Sequence, residues 1–338
     1  MISRFNNYNL THHNTFGLPA SCDFFVEYDS VPDLQAFLCE NPDFAQTPHF
    51  HIGGGSNLVF TDHYRGTILH SAIKGKEVNE SADGIFIKVG AGEDWDEFVE
   101  WCVEHGYYGL ENLSFIPGEV GASAVQNIGA YGVEAGDFIV EVEAVCLSTG
   151  ELHTFDVQAC KYAYRHSIFK AELSGKYAVT HVVFRLSKVF EPNYTYGALE
   201  ATMAAKGFDA PTAQQLRAVV IEIRNAKLPH PSVLGSAGSF FMNPVVDEAL
   251  FLDIQKAYPQ MPHYAAPQGV KIPAGWLIEQ CGWKGKRVGN VGVYDKQALV
   301  LVNYGGASGK DVKDLSQRIV ADVKEKFGIE LRPEANFI

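Results

Sequence analysis

Ser239 stands in Gly235-Ser236-Ala237-Gly238-Ser239-Phe240-Phe241-Met242-Asn243-Pro244, between a glycine-rich turn and an apolar strand-like run. Its hydroxyl is thereby held on a rigid edge where a bound ligand can meet it. A serine in such a turn also serves simply to hydrogen-bond its own backbone. Two other stretches are suited to phosphate. Gly53-Gly54-Gly55-Ser56-Asn57 offers consecutive N–H groups with no Cβ in the way, a nest for a diphosphate, although three glycines equally suit a plain turn. The longer stretch from Ile116 to Glu134 holds Gly118, Gly121, Ala122, Ser123, Gln126, Asn127, Gly129, Ala130 and Tyr131 and little charge. It reads as a loop, either a tight domain crossing or a backbone cradle along a flat, phosphate-bearing cofactor.

Neither glycine stretch is a dinucleotide fingerprint, which would open a helix after a strand, and neither ends in Gly-Lys-Ser/Thr. The flanking elements are nevertheless readable. Asp23 to Tyr28 is strand-like and is followed by a helical run from Val31 to Leu38 with Ser30 and Asp33 at its head. His49 to Ile52 runs as a strand into the first glycine stretch, which emerges as Leu58-Val59-Phe60. Ile85 to Val89 is again strand-like, and Asp94 caps a helix through Trp95, Phe98, Val99 and Cys102 that stops at Gly106. Ile139 to Leu147 turns at Ser148-Thr149-Gly150 and returns as Glu151 to Phe155. After a break at 206–211, Thr212 and Gln215 form a capping box for a helix carrying Leu216, Val219, Val220 and Ile223. The last helix starts at Ser308 and Asp311, and its stripe of Val312, Leu315, Ile319, Val323 and Phe327 is core.

With 338 residues and 46% hydrophobic content, the chain has material for two or three domains and a sizeable core. The net charge of −13 and the absence of a Lys/Arg block argue against nucleic acid or an acidic membrane surface as partner. An anionic substrate must therefore be held by local cations. No apolar signal core or membrane-length run is present, which points to the cytoplasm. The six cysteines are scattered without a Cys-x-x-Cys pair, so neither disulfides nor a metal site is expected. No exposed heptad suggests assembly, and a monomer is the expectation.

The two glycine stretches, in this order and spacing, resemble the flavin-binding loops of the UDP-N-acetylenolpyruvylglucosamine reductases, within the vanillyl-alcohol-oxidase-like FAD-binding fold. The resemblance runs from Asn14-Thr15-Phe16-Gly17 to the C-terminus. It implies an α+β protein with FAD-binding subdomains at 1–70 and 71–206, a substrate-binding domain at 212–328, and a tail at 329–338 returning to the active site. FAD would be held by Gly53, Gly54, Gly55, Ser56 and Asn57, and by Gly118, Gly121, Ala122, Ser123, Gln126, Asn127, Gly129, Ala130 and Tyr131.

The resemblance also implies a reaction. NADPH reduces the flavin and leaves; UDP-N-acetylglucosamine-enolpyruvate follows and is reduced to UDP-N-acetylmuramate, a bacterial wall precursor. Such chemistry needs a hydride donor, a cation for the carboxylate and an acid for the carbanionic carbon. Tyr164-Arg165-His166-Ser167-Ile168-Phe169-Lys170 resembles the family's Tyr-Arg-x-Ser-x-Phe-Lys, which makes Arg165 the partner of the enolpyruvyl carboxylate. Ser239 would deliver the proton, and Glu334, in the family's Pro-Glu pair, would face the same intermediate, protonated and hydrogen-bonding its carboxylate. Arg224-Asn225-Ala226-Lys227-Leu228-Pro229 resembles the diphosphate-binding Arg-x-x-Lys-Leu-Pro. Tyr164, Tyr196, Arg224, Lys227, Asn243 and Gln297 would serve the substrate, with Tyr264 in a Pro-rich loop as a lid. Taken alone, Arg165 also fits a surface arginine, Glu334 a solvated terminal side chain and Tyr264 a packed surface residue.

The chain departs from the family at Ala124, where a proline is common, and at Asn336, where an arginine often contacts the flavin. Loss of the proline is expected to loosen the second loop. No motif marks a nicotinamide site. The competing readings are an oxidase of the same flavin fold and a noncatalytic flavin or sugar-nucleotide binder.

Overall fold

The computed structural model describes residues 1–230 and 233–338. The chain forms two compact units. One consists of Met1–Tyr8, Cys22–Gly54 and Arg65–Arg224, the other of Asn9–Ser21, Gly55–Tyr64 and Asn225–Ile338.

The first unit contains a two-stranded sheet, Gly129–Ala130 with Val133–Glu134, and two large ones. In one, the strands Ile2–Asn9, Ser21–Tyr28, Tyr64–Ser71 and His49–Ile52 lie side by side in that order. His49–Ile52 runs parallel to residues 67–70. The helix Val31–Glu40 begins where the sequence places it, with the Ser30 hydroxyl accepting the Asp33 N–H, and buries Leu34, Phe37 and Leu38 together with Tyr28 and Leu69. The other sheet is antiparallel, in the order Leu152–Asp156, Ile139–Cys146, Tyr177–Leu186, Gly84–Gly90, Lys76–Ser81. Alternation along its strands turns Val142, Ala144, Val182, Phe184, Ile87 and Val89 into a core shared with Trp95, Phe98, Val99 and Cys102 of the helix Trp95–Glu104.

This sheet also carries a polar triad. Glu143 lies opposite His181 in the ladder, accepts from Lys88 Nζ at 2.7 Å and has His181 Nδ1 at 3.2 Å. The His181 hydrogen bond and the Lys88 ammonium hold the Glu143 carboxyl down at about 2. Its folded-state value is therefore depressed, so its stabilising share is complete above the ordinary value of 4.5 and is lost as the pH falls through about 2. Glu143→Gln is expected to cost about 1–3 kcal/mol at neutral pH. In urea titrations the difference from the parent should shrink across that acid window, and a constant difference at every pH would count against it.

The second glycine stretch is not the continuous loop that its composition predicts. Val120–Gln126 is a helix, and Gly121 explains how it fits: a Cβ there would lie 2.8 Å from the Ala91 Cβ. Small residues serve here to bring a helix against the chain that follows a strand, so polarity alone misreads them. Ala124 is fully buried within this helix, so the loosening expected at that position has no loop to act on.

In the second unit the strands Gly235–Ser239, Val300–Asn303, Val291–Val293 and Arg287–Val288 form an antiparallel sheet. Val245–Val246, Gly269–Lys271 and Tyr264–Ala266 form a smaller one. The expected Pro-rich loop at Tyr264 is thus one arm of a hairpin. The helix Gly309–Phe327 starts at Ser308 and Asp311 as the sequence predicts, with the two forming a capping box, and its stripe of Val312, Leu315, Ile319, Val323 and Phe327 is buried. Each such side chain contributes about 1.5–3 kcal/mol of burial.

The division of the chain differs from the one read in the sequence. Phe16 and Leu18 are fully buried in the second unit's core. Backbone and side-chain bonds tie Thr15 to Ser236, and Asn303 Nδ2 donates to the Phe16 carbonyl. At the other end, the break at 206–211 does not separate units. Leu216, Val219, Val220 and Ile223 of the helix Ala213–Lys227 pack with Leu199 and Met203 of the preceding helix Ala198–Ala205, so the chain changes unit only after Arg224. Among the described residues no helix is long and apolar enough to cross a membrane.

Candidate active site

The glycine stretches meet backbone to backbone in the first unit. A Cβ on Gly53 would lie 3.1 Å from Glu119 Oε2 and 3.2 Å from the Ala122 Cβ, and one on Gly54 would lie 3.4 Å from the Gly118 Cα. Side chains would crowd the approach at Gly53, where the neighbours would have to give by a few tenths of an ångström. Glu119 lies at this approach with His70 against it: His70 Nε2 is 2.9 Å from Glu119 Oε1 and Nδ1 is 2.8 Å from Glu27 Oε2. Burial opposes the charge on His70, but the bonds to Glu119 and Glu27 outweigh it and raise its affinity for a proton.

The structure gives several of the glycine-segment residues other work. The Gly121 N–H donates to the Ala91 carbonyl, and the Ser123 hydroxyl turns back onto the Val120 carbonyl. The buried Asn127 side chain bonds Glu134, Ala163 and the Gly136 N–H. Asn127 itself ends the helix in the left-handed region, φ 45°, a position that asparagine tolerates.

The segment Tyr164–Lys170 is fastened to this stretch. The Ser167 hydroxyl donates to the Val125 carbonyl at 2.6 Å, Lys170 Nζ to Gln126 Oε1 at 3.2 Å, and Arg165 Nη1 and Nη2 to the carbonyls of Asn127 and Gly129 at 3.3 and 2.9 Å. Arg165 sits at φ 55° in a tight turn closed by Ala163 and His166. A non-glycine residue there costs about 1 kcal/mol or more, so the neighbouring contacts must hold it. Its guanidinium lies over the exposed Tyr164 ring at 5.4 Å.

Arg224 joins the same region. Its Nε donates to the Phe115 carbonyl at 3.0 Å. Burial disfavours its charge, and Arg165 acts in the same direction against the favourable pull of Tyr131 and Asp96. Tyr131, at φ 51°, is held through its carbonyl by Asn112. Tyr196 packs its ring 3.3 Å from where a Cβ on Gly132 would be.

The second unit gathers a different set. Ser239 ends its strand opposite Val300, after a register shift that begins at Ser236, with Gly238 at φ 64°. Such a bulge re-aims the residue beside it, and Ser239 is exposed. The C-terminal segment lies alongside: Phe241 bridges Pro333, the Glu334 N–H donates to the Phe240 carbonyl at 2.8 Å, and the Met242 N–H to the Arg332 carbonyl at 3.0 Å. Asn243 Oδ1 accepts the Ala274 N–H at the head of the helix Ala274–Gln280. Gln297 Oε1 accepts the Leu299 N–H and lies over Gly275. Lys227 and Tyr264 are exposed, and Tyr264 pairs with Lys271. Gly55, at φ 67°, faces the His13 carbonyl so closely that a Cβ would fall 1.9 Å from it. Gly55, Ser56 and Asn57 thus belong with this unit, whereas Gly53 and Gly54 belong with the first.

Residues 22–156 match the model of an FAD binding domain, and residues 230–338 match that of the UDP-N-acetylenolpyruvoylglucosamine reductase C-terminal domain. The reductase of that name from Bacteroides fragilis (strain YCH46) is 53% identical over 333 residues, covering 98% of this chain and 99% of its own. That of Porphyromonas gingivalis (strain ATCC 33277) is 48% identical over 336 residues, with 98% of each chain covered. The chain belongs to the UDP-N-acetylenolpyruvoylglucosamine reductase family.

Like the fold expected from its glycine stretches, this family member is α+β, with an FAD binding domain and a C-terminal domain of the reductase type. It is an FAD-dependent oxidoreductase. The crystal structure of the UDP-N-acetylenolpyruvylglucosamine reductase from Thermus caldophilus shares the fold, with a TM-score of 0.68 at 23% identity, covering 100% of this chain and 98% of that one.

Three residues of this family member escaped the sequence reading. Asp96 pairs with Arg217 through two bonds, at 2.5 and 3.1 Å, and also accepts the Phe115 N–H at 2.5 Å. Phe115, at φ 61°, is the residue whose carbonyl holds Arg224. The available signal was Arg217 beside Leu216 on the buried side of an amphipathic helix, a charge that must be paired there.

Proposed function

We propose that the protein reduces UDP-N-acetylglucosamine-enolpyruvate to UDP-N-acetylmuramate at the expense of NADPH, in the cytoplasmic synthesis of peptidoglycan precursors. The reading is supported above all by the return of the C-terminal segment, which bonds Glu334 to the residue that follows Ser239. Neither residue type is a strong site signal alone, and this backbone bond supports reading them as one site.

The close approach of Gly53 and Gly54 to Gly118, Glu119 and Ala122 leaves backbone N–H groups of the glycine stretches uncovered by side chains, which fits a flat, diphosphate-bearing cofactor. FAD, when bound, supplies the hydride, drawn from NADPH, that reaches the enolpyruvyl methylene carbon. Arg165 grips the adjacent carboxylate and absorbs charge as that group takes on enolate character. Ser239 then transfers its hydroxyl proton to the carbon bearing the carboxylate. A serine is a weak acid, but it acts on a strongly basic carbon and needs to transfer one proton from a fixed position. Glu334 faces the same carboxylate. Arg224 and Lys227, in the last turn of their helix, hold the substrate diphosphate, with Tyr164, Tyr196, Asn243, Gln297 and Tyr264 completing its contacts. The charge repulsion between Arg165 and Arg224 is relieved when an anionic substrate lies against them.

The test is anaerobic. Reduce the purified yellow protein with NADPH, add the enolpyruvyl substrate, and follow the flavin absorbance. Rapid return of the oxidised spectrum is expected. A protein that stays reduced until oxygen is admitted would overturn the reading in favour of an oxidase.

A further inference from the structure

Asn57 lies in the first glycine stretch, yet its side chain is directed to the C-terminal segment. Its Nδ2 donates to the Glu334 carbonyl at 3.1 Å, and its own carbonyl accepts the Asn336 N–H at 3.0 Å. Beyond it, Asn336–Phe337 pairs as a parallel strand with Leu58–Val59. The Ile338 N–H reaches the Val59 carbonyl, and the Thr61 N–H and hydroxyl both donate to the Ile338 carbonyl. On its other side, Glu334 donates its N–H to the Phe240 carbonyl.

The two peptide groups of Glu334 are therefore fixed from opposite directions. One bond comes from the residue after Ser239, and the other from the amide of Asn57. The segment after Ala335 is anchored by its own ladder, and the Glu334 carbonyl before it accepts from Asn57. A terminal segment takes its position from such bonds, and displacement of a reacting group by about 1 Å can cost up to about a hundredfold in rate.

We infer that Asn57 is a positioning residue for Glu334, setting the glutamate relative to Ser239 from within the flavin-proximal stretch. The inference deepens the proposed function and rests on the role given there to Glu334. It departs from the sequence expectation that Asn57 serves the cofactor.

The experiment compares Asn57→Ala, Glu334→Gln and the double variant as flavin-loaded proteins. Rapid mixing gives flavin reduction by NADPH and reoxidation by the enolpyruvyl substrate, and fluorescence titration gives the flavin Kd. Asn57→Ala should slow reoxidation about tenfold. The substrate KM, the reduction rate and the flavin Kd should stay within about twofold of the parent. In the Glu334→Gln background, adding Asn57→Ala should change little, because the two act through one group. Asn57→Asp, which puts an acceptor where the donor stands, should behave like the alanine variant while keeping the side-chain volume.

If Glu334→Gln is slow and Asn57→Ala reoxidises at the parent rate, the inference alone falls. A weakened flavin Kd as the main effect, or fully additive losses in the double variant, would also overturn it. If Glu334→Gln itself matches the parent, the role of Glu334 is lost and the inference with it.

Discussion

Ser239→Ala is expected to leave flavin reduction by NADPH at the parent rate while slowing reoxidation by the enolpyruvyl substrate about 10²–10⁴-fold, the range for loss of a positioned proton donor. The asymmetry is the informative part. Ser239 is exposed at the end of its strand, its backbone held in the ladder opposite Val300. Removing one oxygen atom therefore leaves no cavity, and the fold and the flavin cradle should be intact. Stopped-flow absorbance separates the two half-reactions. Equal losses in both would remove Ser239 from the proton-donor role, and loss only of substrate affinity would make it a binding contact instead.

Asp96→Ala should produce the largest loss of stability, about 3–5 kcal/mol, the usual result of leaving a buried charge without its partner. The Arg217 side chain is 8% exposed and that of Asp96 is 23% exposed, so water cannot readily replace the carboxylate. The same variant leaves the Phe115 N–H without its acceptor, at a residue in the left-handed region. Urea unfolding with intrinsic fluorescence measures the loss, and a value under about 1 kcal/mol would show that Arg217 finds other partners, with Glu100 Oε1 at 3.5 Å as the nearest alternative. Asp96→Leu combined with Arg217→Met should recover much of the stability, because it removes both charges together. It should not restore the hold on Phe115, and through the Phe115 carbonyl the placement of Arg224.

Much of the local structure was legible in the sequence because short-range rules decide it. Ser30, Asp94 and Ser308 each accept or bracket the first N–H groups of their helices as their spacing requires. Alternation and helical stripes identified the faces of Ile139–Cys146 and Gly309–Phe327. The glycine stretches pointed to a flavin, and the order of motifs pointed to the family.

Composition could not say which way the second glycine stretch folds. Glycine and alanine permit both a loop and a tightly packed helix, and the choice at Val120–Gln126 was made by contact with Ala91. Nor could the break at 206–211 say where a unit ends, because that depends on which core accepts the apolar face of the following helix. Likewise the placement of Asn14–Leu18 with the C-terminal core follows from where Phe16 and Leu18 find apolar neighbours.

The sequence by itself determined the inventory: a proton-bearing serine, a terminal glutamate, paired cations and two phosphate-compatible glycine stretches. Tertiary structure alone decided their pairings, namely Glu334 on Phe240 and Asn57, Arg165 on the carbonyls of Asn127 and Gly129, and Arg224 on Phe115. These contacts join residues far apart in the chain. Hydrogen bonds of that kind act over about 3 Å and leave no periodic trace in sequence, so only the packed chain reveals them.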